Sequence, residues 1–118
     1  MKVIKNDCYY LNRILKYINL IFEYSDNIRN KNSYLKPNDQ ESDGIIYKFI
    51  QLREETKHLS ADLIRKNKEL EYHINLLSGF RNRLTHDYDN VQYSFFIEII
   101  ENDLPKLKKV LENILINL

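Results

Sequence analysis

Apolar residues return every three or four positions along most of this chain, and only a repeat near 3.6 residues places such positions on one side of the backbone. From about Asn6 to Asn30, Leu11, Leu15, Ile18 and Phe22 step by four and three, with Ile14 and Ile21 widening the stripe. From about Glu41 to Asn67 the row is Ile45, Phe49, Leu52, Thr56, Leu59 and Leu63, the narrow seam of a helix packed along another helix. A third helix starts near Glu69, with Leu76, Leu77, Phe80 and Leu84 within about 100° of arc. A fourth pattern carries Phe96, Ile100, Leu104, Leu107, Leu111, Ile114 and Leu118. Pro105 interrupts it, and the helix there is expected to kink or to restart with Asp103 as its cap.

Turn material is scarce. Two glycines and two prolines in 118 residues are too few for an all-β domain, which needs a turn every few residues. The polar stretch 30–40, with Pro37, reads as a loop. The expected fold is all-α, a single domain over residues 1–118 built as an up-and-down bundle of four to five helices. A chain of this length buries roughly two-thirds of its unfolded surface, enough for a core without staples.

Charge and cysteine content narrow the function. A net charge of +1 argues against a wholesale nucleic-acid coat, which needs clustered Lys and Arg, but leaves room for a local basic site. The one cysteine, Cys8, has no internal disulfide partner and reads chiefly as a small buried hydrophobe, otherwise as a sign of a reducing compartment. No apolar run approaches the roughly 18 residues of a membrane span, and the first ten residues lack a signal-peptide core. A cytoplasmic protein is expected. His58, His73 and His86 show neither HExxH nor paired Cys/His spacing, and no Gly-rich phosphate loop occurs, so neither a metal nor a cofactor is expected.

One stretch departs from the plain pattern of a bundle. "GFRNRLTHDY", Gly79 to Tyr88, places two arginines, an amide, a histidine, an aspartate and a tyrosine on what the period makes the third helix. On an ideal helix through Tyr88, Asn82 and His86 share a face roughly opposite the apolar stripe. Arg81 lies to the side of that stripe, and Tyr88 almost directly above Arg81. Arg81 and His86 stand about 140° apart, so one straight helix does not aim them at one point. Either the helix ends near Thr85 and frees the histidine, or two chains pair and each site mixes groups from both. The plain structural account is that the arginine covers apolar surface, the histidine favours the negative end of the helix dipole, and "HDYDN" stops the helix. The functional account is that arginine offers a fixed bidentate charge for phosphate oxygens and histidine moves protons near neutral pH. Those two groups suffice to cleave RNA without a metal.

The motif has a family likeness. "RNRLTHDY" fits Arg-x4-His-x-Tyr from Arg81 through His86 to Tyr88, and resembles the HEPN superfamily, within it the HepT-like toxins of two-component toxin–antitoxin pairs. "LLSGFRNRLTHDYDNV" followed by "IIENDLPKLKKVLENIL" resembles the C-terminal half of that family, including its Leu-Pro. Upstream, "IQLREETKHLS" resembles a segment that usually reads Ile-Gly-Glu before a Leu-Ser pair, with Glu54 at the acidic position and Arg53 where glycine is usual. The likeness covers Phe49 to the C-terminus well, and the first helix only in length and pattern.

The resemblance implies a HEPN-like helical homodimer with Arg/His sites in a cleft between the two copies, and a metal-independent endoribonuclease. In that reading Arg81 and His86 are catalytic, Asn82 orients the site, Arg83 adds positive potential, and Glu54 supports it from behind. The implied partner is an MNT-type nucleotidyltransferase antitoxin that silences the toxin by AMP transfer (AMPylation) to Tyr88. The alternative is a non-catalytic HEPN-type interaction or nucleotide-binding module partnering a nucleotidyltransferase.

Overall fold

Asn6 opens the first helix: its Oδ1 accepts the Tyr9 N–H at 3.1 Å, pairing a donor that no preceding turn can satisfy. Helix α1 then runs Asp7–Asn30 and buries Leu11, Ile14, Ile18, Ile21 and Ser25. Leu15 and Phe22, expected at the centre of the stripe, are half-buried at its edge. The structure, a computed structural model, describes residues 6–30, 40–86 and 93–118, and for 27–30, 41, 80–86 and 93–95 the backbone alone.

The expected second helix is in fact two. Helix α2 runs Gln40–Thr56 and stops where Thr56 turns its hydroxyl onto the carbonyl of Arg53, at 2.6 Å. Such a local bond competes with continued helix. The N–H groups of Lys57, His58 and Leu59 then bond three residues back, to Glu54, Glu55 and Thr56, in a tight turn. Ser60 has extended backbone (φ −66°, ψ 147°) and caps α3, Ala61–Lys66. Its hydroxyl accepts the Leu63 N–H at 3.1 Å and donates to Asp7 at 2.7 Å, while its own N–H donates to Asp7 at 2.8 Å. The start of α1 is thereby tied to the start of α3. Asn67 ends α3 and bonds back to the Leu63 carbonyl at 2.8 Å, and α4 follows as Lys68–His86. Hydrophobic spacing is blind to this break because the turn keeps the row in register: Leu59 and Leu63 are still buried.

Helix α5 (Tyr93–Glu98) passes through a wider π turn, Ile99–Asp103, into α6, Leu104–Ile116. Within that turn the Leu104 N–H reaches back to the Ile99 carbonyl. The widening lies just before Pro105, whose ring would collide with the carbonyl four residues back in a regular α-helix. A restart capped by Asp103 does not occur: Asp103 is itself helical (φ −83°, ψ −44°) and makes no capping bond.

α1 packs on α2 and α6, α4 also packs on α2 and α6, and α3 lies against α4. The four long helices thus close a ring around one core, in a body 46 × 29 × 29 Å. At its centre Phe49 and Phe96 meet with ring centroids 5.7 Å apart, flanked by Ile45, Leu52, Ile100 and Leu104. The fold is all-α, with no strand among the described residues. None of the described helices is long and apolar enough to cross a membrane. Cys8, expected to be buried, is exposed; it lies outside the row that begins at Leu11, and its sulfur accepts from Asn12 at 3.6 Å. Leu118, expected in the last apolar row, is exposed beyond the end of α6.

Candidate active site

Helix α4 carries the polar run, and its packing fixes where the run falls. Its buried positions are Leu70, His73 and Leu77, stepping three and four, with Leu76 only half-buried. The centre of the buried face therefore lies about 40° round from the one expected between Leu76 and Leu77. Arg81 is four positions beyond Leu77, so by register it falls at the edge of that face, about 45° from its centre. His86 falls on the opposite side. The helical backbone is described as far as His86, so the offset of about 140° between Arg81 and His86 holds up to the histidine. Asn82 and Arg83 lie in the same last two turns. Tyr88 lies outside the described residues.

One turn before Arg81, α4 is tied to α2. The Arg53 Nε donates to the Ser78 hydroxyl at 2.6 Å, and that hydroxyl donates to the Ile74 carbonyl at 3.0 Å. Arg53 also reaches the Thr56 hydroxyl at 3.5 Å. A half-buried guanidinium with two hydroxyl partners is a stiff strut, since its planar fork loses little freedom per bond. Sequence reasoning missed Arg53 and Ser78 as a pair. The available signal was Arg53 standing where the family pattern has glycine. Glu54, expected to support the site, forms an ion pair with Lys57 at 3.1 Å on its own side of α2.

Two further polar groups stand out. Arg13 is bonded to Glu55 at 2.9 Å, which holds its charge more firmly than in water. His73 is nearly enclosed, and burial pushes its pKa below the ordinary histidine value. Asp103 and Glu69 oppose that shift, and Lys106 adds to it. Among the described residues its ring makes no hydrogen bond; it meets Tyr72 edge-on, centroids 5.3 Å apart.

The structure thus gives a ring of four long helices, with Arg81 and His86 five residues apart on the last described turns of α4. The chain belongs to the family of HepT-like ribonucleases: that family's model, described as Ribonuclease HepT-like, matches residues 14–114. The match takes in most of α1 as well as the motif and nearly all of α6, more than the sequence likeness alone covered. No solved structure matches the chain.

Proposed function

We propose that this protein is the toxin of a toxin–antitoxin pair, a metal-independent endoribonuclease acting through Arg81 and His86. What supports the reading most is that one family match spans most of the bundle together with the intact Arg-x4-His-x-Tyr run. In the reaction the RNA 2′-oxygen bonds to the adjacent phosphorus and the bond to the 5′-oxygen breaks. The products are a 2′,3′-cyclic phosphate and a free 5′-hydroxyl. His86 moves the proton between the attacking and leaving oxygens, and Arg81 stabilises charge building on the phosphoryl oxygens. Asn82 orients the strand and Arg83 adds positive potential. The active form is a homodimer, because the 140° offset separates the two groups on one helix and a second copy supplies the missing partner. Light scattering should give about twice the chain mass of 14.3 kDa.

Control falls to Tyr88. Its hydroxyl attacks the α-phosphorus of ATP held by an MNT-type nucleotidyltransferase, pyrophosphate leaves, and the attached AMP places a phosphate where RNA should lie. Intact-mass and peptide mapping should find AMP on Tyr88 and none on Tyr88→Phe.

The deciding experiment compares RNA cleavage by wild type, His86→Ala and Arg81→Ala. Loss of the general acid/base should cost about 10²–10⁴-fold in rate, with far-UV circular dichroism unchanged. Chelator should have no effect. Full cleavage by either folded variant overturns the assignment.

A further inference from the structure

Far from the motif, the first turns of α4 and the middle of α6 enclose a cavity of about 530 Å³ lined by Lys68, Glu69, Tyr72, His73, Lys106 and Lys109. A second hollow of about 280 Å³ continues it past Lys66 and Asn67. The charge is lopsided: three lysines face one carboxylate in the main cavity, and Lys106 and Lys109 make no ion pair among the described residues. Tyr72 is 61% exposed, a large share for an aromatic ring, and the buried His73 backs it. Cations beside a bare aromatic face are what single-stranded nucleic acid needs, phosphates on the lysines and a base on the ring.

The α4 register connects this groove to the motif. Tyr72, Leu76, Gly79, Arg83 and His86 step by four and three, and occupy about 80° of arc along some 21 Å of helix. In the middle stands Gly79, exposed, where an added Cβ would meet nothing within 4 Å. The chain's own packing does not call for a glycine there, and mid-helix glycine costs stability relative to alanine. A bare stretch of backbone between a cationic aromatic groove and the histidine allows something outside the chain to lie close.

We propose that the α4–α6 groove is an accessory site for single-stranded RNA, with Tyr72 as a stacking platform and Lys106 and Lys109 as phosphate contacts, from which the strand runs over Gly79 to the Arg81–His86 end. The proposal rests on the ribonuclease reading, and two substrates separate their fates. A dinucleotide is too short to touch both ends, whereas a longer strand engages both.

The probe for binding is a fluorescent single-stranded 2′-O-methyl RNA, which lacks the attacking hydroxyl and is not cut. Lys106→Glu with Lys109→Glu should weaken its binding to the full chain about ten-fold or more. The slope of log affinity against log salt should fall by about two, one per lysine. Tyr72→Ala should weaken binding about five-fold or more, and Tyr72→Phe should restore it. Lys106→Gln with Lys109→Gln should lie between, which excludes misfolding as the cause. Dinucleotide cleavage should be unchanged in all four variants. Unchanged affinity in both the charge-reversed and Tyr72→Ala variants overturns the groove, as does a changed oligomeric state in the former, which would make this face an interface between copies. Wild type that binds the strand through the groove but cuts neither substrate overturns the ribonuclease reading and leaves the groove standing.

Discussion

Helices α2 and α4 face each other in the same ring and are built on opposite principles. The buried row of α2 is Ile45, Phe49 and Leu52, closed by Thr56, whose hydroxyl is spent on its own helix. The buried row of α4 reads Leu70, His73 and Leu77, and Arg81 stands four positions further on. Ser78, beside that row, takes a bond from Arg53 of α2. A helix that only packs has no reason to carry a histidine among its buried positions, where it costs free energy to desolvate. In its buried positions α4 is thus the more polar of the two helices.

The largest effect expected from this contrast comes from cutting the two rows in turn. Phe49→Ala removes a ring 2% exposed from the centre of the core and should cost about 3–5 kcal/mol in chemical denaturation. Arg81→Ala should move the unfolding midpoint by only a few degrees while cleavage disappears. If both variants lose stability alike, α4 is as purely structural as α2.

A smaller loss is expected where α2 hands over to α4. Ser60→Ala deletes the cap of α3 and one of the two bonds from Ser60 to Asp7, and should cost about 1–2 kcal/mol in urea. A neutral result would show that the turn between α2 and α3 is held by Leu59 and Leu63 alone.

Gly79→Ala has the opposite sign. Its Cβ meets nothing, so the variant should gain about 0.5–1 kcal/mol from helix propensity. That gain, measured together with weaker binding of long RNA, would show directly that the position serves something other than packing. A loss of stability would mean that the bare backbone is needed for the fold.

The smallest effect is a pH dependence. Burial holds the pKa of His73 below the ordinary value of about 6.5, so the unfolded chain takes up this proton first as pH falls. Stability from this group is complete above about pH 6.5 and declines below it until the folded histidine titrates as well. Melting temperatures followed from neutral to mildly acidic pH should fall, and His73→Phe should flatten that part of the slope. An unchanged slope would assign it to other groups.

Much of this was legible in the chain. The spacing of Leu11, Ile14, Ile18 and Ile21, and the row from Phe96 to Leu111, predicted helices that the structure contains, because burying apolar area leaves little choice of face. The break at Lys57–Ser60 was not legible. Apolar spacing runs through it, and the deciding bonds are one from Thr56 to its own helix and two from Ser60 to Asp7, fifty-three positions away. Nor was the orientation of α4 legible, since Leu76 and Leu77 look alike until α2 and α6 select which of them to cover. The exposure of Cys8 was missed for the same reason: residue type sets a preference, and the neighbouring helices decide.

By itself, then, the chain determined its helical class, the approximate ends of α1, the start of α4 and the Arg-x4-His-x-Tyr run, all of which depend on residues close in sequence. Tertiary structure alone decided that Leu70, His73 and Leu77 are the buried positions of α4, that Arg53 braces α4 through Ser78, and that Tyr72, Lys106 and Lys109 share one groove. Those outcomes depend on which helix faces meet, and that choice is made by the summed burial of the whole core rather than by any local stretch of sequence.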